Sequence, residues 1–279
     1  MTINCRGTLL DLSTPVVMGI LNVTPDSFFD GGRYTGHDAL LAQAEKMLAE
    51  GAQILDIGGM STRPGAVVID SDEELKRVLP AVKLLVKKFP NAIISVDTVH
   101  AAVAAATLNE GAHIINDIAA GRLDDAMLAT VARARAPYVL MHMQGLPNNM
   151  QQNPYYENVT TEVAGFFAER VNACKQAGIT DVILDPGFGF GKTVAHNYTL
   201  LRNLHYFTRM NLPVLAGVSR KSMICKPLGV SPEYALNGTT AANTIALLNG
   251  ADILRVHDVK EASQAIKIVE SLKPSVAIN

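Results

Sequence analysis

At 279 residues the chain exceeds the commonest domain size, yet α/β barrels of about 250 residues fold as one unit, so a single large core is expected. Hydrophobic residues make up 48% of the chain and charged residues 18%, which provides ample apolar surface and argues against long disordered stretches. A formal net charge of -2 without clustered Lys/Arg runs argues against a nucleic-acid partner.

In chain order, TINCRGTLLDLST comes first and is expected to form a small hairpin sealing the amino-terminal mouth of the fold. Short, β-branched apolar runs then recur eight times: VVMGILNV from Val16, ILDIGG from Ile54, IISVDT from Ile93, IINDI from Ile114, YVLMHMQ from Tyr138, VILDPGF from Val182, VLAGVS from Val214 and ILRVHD from Ile253. Each is mostly apolar without clean alternation, as expected of parallel strands covered on both faces. Helix-like segments lie between them, such as DALLAQAEKMLAEGA and residues 71–89, 157–177 and 234–249. Two connections, 24–34 and 60–70, exceed the usual two to six residues of a β/α loop and are candidate lids.

This alternation implies parallel pairing with right-handed crossovers, and eight repeats allow either a closed barrel or a long open doubly wound sheet. The polar residues decide. The runs end in Asn22, Asp56, Asp97, Asn116 with Asp117, His142, Asp185, Ser219 to Lys221, and Arg255 with His257. In a barrel all of these converge on one face, whereas an open sheet favours ligands only at its switch-point crevice. The expected fold is therefore α/β, a (β/α)8 TIM barrel, as a single domain over 1–279 with an N-terminal β-hairpin.

Cys5, Cys174 and Cys225 are few, odd in number and widely spaced, which suits a reducing compartment. With no secretory-signal pattern and no apolar run approaching the roughly 18 residues needed to span a bilayer, the expected location is cytoplasmic.

Several segments carry chemistry. NVTPDSFFDGG places an amide, Asn22, at a strand end where its oxygen can ligate a metal, and its Phe28 would be costly to leave in water; the plain alternative is a flexible surface loop. GGMSTRPGA sets Ser61 and Thr62 beside Arg63, whose planar fork suits carboxylate or phosphate. Any one of Asp97, Asn116 and Asp185 taken alone is equally explained as a helix cap or a partner for backbone groups, but together they suit the donor-and-acceptor edge of a heteroaromatic such as an amino-pyrimidinone. SRKS, from Ser219, and the pair Arg255 and His257, two apart on one strand face, resemble an anion site near strands seven and eight. GFGFGK follows the sixth strand without the hydroxyl that a phosphate loop needs after its Lys, and there is no nucleophile elbow or dinucleotide fingerprint. No covalent nucleophile is indicated.

Taken together, GILNVTPDSF, GGMSTRPGA, SVDT, GAHIINDI, LMHMQG, LDPGFGFGK, SRKS and RVHDV resemble, in order and over nearly the whole chain, the dihydropteroate synthase family of folate biosynthesis. The resemblance implies a transferase that condenses 6-hydroxymethyl-7,8-dihydropterin pyrophosphate with 4-aminobenzoate. It implies a pterin pocket of Asp97, Asn116, Asp185 and Lys221, with Met141 and Phe190 packing on the ring. Asn22, Thr62, Arg255 and His257 would meet the pyrophosphate, and Asn22 its Mg2+. Phe28, Thr62, Arg63, Pro64, Lys221 and Ser222 would border the aminobenzoate, with Asp30 in the closing first loop. Asp97, Asp185, Lys221, Arg255 and His257 would carry catalysis. Sulfonamide inhibition and a homodimer are implied as well.

Two positions depart from the family: Met60 stands where Glu is common, and Phe29 where Ser is frequent. Met60 keeps open a non-catalytic pterin-binding paralogue. A pterin-dependent methyltransferase domain is the other alternative, but it has no obvious need for the pyrophosphate residues.

Overall fold

The computed structural model describes residues 1–23, 33–60, 69–145 and 150–272. Strands β1 (Thr2–Cys5) and β2 (Thr8–Asp11) pair antiparallel, with Ile3 opposite Leu10. Arg6 and Gly7 turn this hairpin with φ of 55° and 105°, the left-handed conformation that two-residue hairpin loops require.

The remaining strands form one parallel eight-stranded sheet: β3 (Val16–Asn22), β4 (Ile54–Gly58), β5 (Ile93–Asp97), β6 (Ile114–Asp117), β7 (Tyr138–Met141), β8 (Val182–Asp185), β9 (Leu215–Ala216) and β10 (Ile253–Val256). Each of β3 to β8 pairs with the next, and β10 lies between β9 and β3. A parallel bridge from Leu184 to Val214 joins β8 to the start of β9 and closes the barrel.

Strand side chains alternate between two apolar environments, because successive residues face opposite sides. Val17, Leu55, Ile94, Ile115, Leu140, Leu184 and Leu254 point outward into a core shared with the helices. Their neighbours Val16, Met18, Ile54, Ile93, Ile114, Val139, Ile183, Leu215 and Ile253 point inward, where Ile3, Cys5, Leu10 and Leu12 of the N-terminal segment pack beneath them. The hairpin thus plugs the bottom of the barrel, and Arg6 ties it down by donating to Leu108 O and Ala112 O at 2.6 Å. Apolar on both faces, the lower halves of the strands show no alternation in sequence.

The helices α1 (Arg33–Ala49), α2 (Ser71–Lys88), α3 (Ala101–Asn109), α4 (Met127–Ala134), α5 (Val159–Ala177), α6 (Val194–Arg202), α7 (His205–Thr208), α8 (Ser222–Leu228), α9 (Leu236–Leu248) and α10 (Val259–Glu270) surround the sheet. Their ends follow local chemistry. Asp70 caps α2 by accepting from Glu73 N, and Asn158 caps α5, so that helix starts at Val159 and not at 157. Tyr234 belongs to a short 3-10 turn ahead of α9, so the expected segment 234–249 begins two residues too early. The first long connection is also shorter than the sequence suggests, since Arg33 and Tyr34 already lie in α1. Phe28, Phe29, Asp30, Thr62, Arg63 and Pro64 lie outside the described residues.

Candidate active site

Continuing the inward-facing register two residues at a time, the apolar floor gives way to polar groups at the carboxyl ends of the strands. Ile54 is followed by Asp56, Ile93 by Ser95 and Asp97, Ile114 by Asn116, Ile183 by Asp185, and Ile253 by Arg255. Asn116, Ile118, Met141, Asp185, Phe190, Gly217, Lys221 and Arg255 line a narrow cavity at this end. Five of the six residues expected at the pterin, Asn116, Met141, Asp185, Phe190 and Lys221, thus line one cavity, and the sixth, Asp97, is joined to it through Arg255.

Arg255 organises the floor. Its Nε donates to Asp56 Oδ2 and its Nη2 to Asp97 Oδ2, both at 2.6 Å. Asp56 is fully buried and also accepts from Ser95 Oγ at 2.6 Å and Asn116 Nδ2 at 3.0 Å. Because Asn116 spends its amide nitrogen on Asp56, its carbonyl oxygen is left for the cavity as an acceptor. The guanidinium of Arg255, the residue expected at the pyrophosphate, also bridges two carboxylates at the pocket floor.

The charges perturb one another. Burial raises Asp97 to about 7, with Asp56, Glu74 and Asp117 adding to the rise and Arg255 opposing it. Asp185 is likewise raised by burial, against the pull of Lys221 and of Gly187 N, which donates to Asp185 Oδ1 at 2.8 Å. Lys221 is lowered by burial to about 8, partly offset by Asp185. Its Nζ donates to Phe188 O at 2.5 Å and stands 4.8 Å from the centre of the Phe190 ring.

Around this core the rim is more open. A Cβ placed on Gly58 would lie 3.6 Å from Asn22 Oδ1 and 3.9 Å from Asp97 Oδ2, so these two polar groups flank one bare backbone position. Asn22 itself is exposed at the end of β3. His257 follows Arg255 on the same strand face, and its Nδ1 is 3.0 Å from Ser219 Oγ. Although His257 is solvent-accessible as a residue, its ring sits within the rim, where partial burial and the charges of Arg255 and Arg220 hold it well below the ordinary imidazole range. Ser222 is exposed at the first position of α8, beside Lys221.

Other strand-end candidates point elsewhere. Arg220 adopts a left-handed φ of 56° and forms a paired contact with Asp258, Nε to Oδ2 at 2.9 Å and Nη2 to Oδ1 at 2.6 Å, so the SRKS segment offers one free cation fewer than its sequence suggests. Asp117 faces away from the cavity and accepts from Tyr138 OH, Ala119 N and Gly121 N. His142 contacts Lys192 on the outer side of the pocket wall. Met60 is buried with Met141, Met143, Met150 and Phe190, so the departure at this position joins the apolar shelf beside the cavity.

Comparison with known proteins agrees with this geometry. Residues 18–257 match the family model described as pterin binding enzyme. The dihydropteroate synthase of Escherichia coli K12 is 48% identical over 273 residues, covering 97% of this chain and 96% of that one. The crystal structure of the Yersinia pestis dihydropteroate synthase in a sulfonamide drug complex superimposes with a TM-score of 0.91 at 48% identity, covering 97% and 98% of the two chains. The Xanthomonas albilineans dihydropteroate synthase, solved with 4-aminobenzoic acid, gives a TM-score of 0.91 at 43% identity, with 98% of each chain covered. With the family model spanning most of the barrel and relatives aligned end to end, the chain belongs to the pterin-binding enzymes and, among them, to the dihydropteroate synthases.

Proposed function

We infer that this pocket condenses 6-hydroxymethyl-7,8-dihydropterin pyrophosphate with 4-aminobenzoate, giving 7,8-dihydropteroate and pyrophosphate. The observation that carries the reading is the convergence of Asp97, Asn116, Asp185, Lys221 and Arg255, from separate strands and their following loops, around one cavity. A pterin offers ring N–H and amino donors beside carbonyl and ring-nitrogen acceptors; Asp185 and Asn116 supply acceptors, Lys221 a donor, and Met141 and Phe190 apolar surfaces for its faces.

In the reaction the bond between the pterin methylene carbon and the pyrophosphate oxygen breaks, its electron pair leaving with the pyrophosphate. The arylamine nitrogen then forms the new C–N bond and loses a proton to water or to the departing anion. Asp97 and Asp185 stabilise the positive charge that develops over the pterin, in a site where fixed charges act more strongly than in water. On the family resemblance, Asn22, Thr62, Arg255 and His257 are assigned to the leaving anion, and Phe28, Thr62, Arg63, Pro64, Lys221 and Ser222 to the aminobenzoate.

The donors at the rim fit Mg2+. Asn22 gives a hard amide oxygen at an exposed strand end, and this ion is commonly held by one or two protein oxygens, several waters and substrate phosphates. When bound, it would neutralise charge on the pyrophosphate. Two further features belong to this reading. Three free cysteines suit a reducing cytoplasm, and among the described residues no helix is long and apolar enough to cross a membrane. A homodimer, expected of the family, is supported by Ile245 and Leu248, exposed three residues apart on α9.

The test is product formation from the two purified substrates, with and without Mg2+, read as pyrophosphate release. Turnover that depends on Mg2+ and is inhibited by sulfonamides in competition with 4-aminobenzoate is expected. Pterin uptake without pyrophosphate release would make the chain a binder, and inhibition independent of 4-aminobenzoate concentration would refute the shared pocket.

A further inference from the structure

The segment GFGFGK is the one chemically suggestive motif that the reaction does not absorb. It leaves β8 directly after Asp185 and Pro186 and runs to the start of α6. Gly187, Gly189 and Gly191 take left-handed φ of 67°, 87° and 63°, and a Cβ on Gly187 or Gly191 would strike the carbonyls of His142 or Gln144. An alternating turn of this kind is not held by regular secondary structure. Lys192 holds it.

The Lys192 side chain is buried to 3% exposure, and its Nζ lies 2.9 Å from Gly187 O, 3.0 Å from Phe190 O, 3.3 Å from His142 O and 2.9 Å from His142 Nδ1. Three of these partners are carbonyl oxygens that accept from Nζ, and the fourth, the His142 imidazole nitrogen, donates or accepts according to its tautomer, so Nζ is enclosed by polar partners. Burial outweighs the pull of Asp185 and holds Lys192 well below the ordinary lysine range, so the hold on the turn rests on these hydrogen bonds and not on a full charge. The groups so fixed matter to the pocket: Gly187 N donates to Asp185, Phe188 O accepts from Lys221, and the Phe190 ring faces both the cavity and the Lys221 ammonium.

We propose that Lys192 is a positioning residue for the pterin: without touching substrate, it holds residues 187–191 in the one conformation that sets Phe190 against the ring and Lys221 beside Asp185. The inference rests on reading the cavity as the pterin site. It predicts a defect that falls mainly on the pterin, because, among the described residues, Lys221 is the one assigned to the aminobenzoate that also touches this loop.

Lys192→Met is therefore compared with the parent by calorimetry with pterin pyrophosphate alone and by steady-state kinetics with both substrates. The expected result is pterin affinity weakened about tenfold or more and pterin KM raised in parallel, the scale of losing buried hydrogen bonds, with the KM for 4-aminobenzoate within about twofold. Equal losses in both KM values, or pterin affinity within about twofold of the parent, would overturn it. If the variant does not fold, Tyr156→Phe decides. Its lost hydroxyl donates to Gly191 O at 2.9 Å, and removing this second strap should weaken pterin affinity about two- to tenfold and leave the aminobenzoate KM unchanged. Unchanged pterin affinity in that variant would also refute the proposal. Because calorimetry reads pterin without turnover, a parent protein that binds but does not react faults the assigned reaction and leaves the Lys192 test intact.

Discussion

Asp56 and Asp97 share a single guanidinium, each 2.6 Å from Arg255, so one cation balances two buried anions and a proton is held on Asp97 up to about pH 7. Lys221 stands across the cavity with its charge lost above about 8. Below the first value Asp97 becomes neutral and no longer stabilises a cationic pterin; above the second, Lys221 no longer donates as an ammonium. The pterin kcat/KM of the free enzyme is therefore expected to be bell-shaped, with limbs near 7 and 8. Lys221→Arg, which stays charged throughout this range, should lose the alkaline limb whatever its absolute rate. An alkaline limb that persists unmoved in the variant would remove Lys221 from that role. At this scale the sequence was informative wherever a polar residue ended an apolar run. It pointed to Asp97, Asn116, Asp185 and Arg255, but not to what Asp56 does, because a strand-end Asp looks the same whether it meets substrate or anchors Asn116 and Arg255. The SRKS motif by itself did not separate Lys221 from Arg220, which the resemblance did; the structural reason is that the left-handed turn at Arg220 sends that side chain to Asp258.

Among the elements, β9 is the shortest barrel strand, and its brevity has a local cause. Pro213 has no N–H to donate, and Val214 N donates to the Asp252 carboxylate at 2.9 Å, which leaves Leu215 and Ala216 to make the ladder with β10. Gly217 follows immediately on the cavity wall. A Cβ there would lie 3.7 Å from Lys221 Nζ, 3.9 Å from Arg255 Cβ and 4.0 Å from Asp185 Oδ2, so protein atoms tolerate it and the space it takes is the ligand's. Gly217→Val is expected to change stability by no more than about 1 kcal/mol while weakening pterin binding at least about tenfold. Calorimetry showing unimpaired binding in a folded variant would contradict this placement of the pocket. The strands themselves were legible because both faces are covered, which makes each run continuously apolar. The length of β9 was not, because VLAGVS reads as a full strand until the partners of its first N–H groups are known.

At the scale of the whole molecule, the bottom of the barrel is closed by the hairpin and the top carries the site, which leaves the flanks for association. Ile245 and Leu248, 43% and 58% exposed, lie on one face of α9. Sedimentation equilibrium should return about twice the chain mass of 29.8 kDa, and the double substitution Ile245→Glu with Leu248→Glu should return the single mass. A dimer that survives both changes would place its interface elsewhere. Barrel and hairpin were legible from the β/α cadence and the order of the motifs. The flank was not, because an apolar residue on a helix is as readily core as interface until the helix is placed.

The order of the strands around the barrel also governs how the site is completed. Arg255 follows its partners Asp97 and Asp56 by 158 and 199 residues, and β10 must enter between β3 and β9. Asp56 and Asp97 sit on adjacent strands, and both depend for their cation on the last strand of the barrel. Closure of the sheet between β3 and β9 and the cation for these two acids thus come from one strand, and a chain ending before residue 253 would lack both.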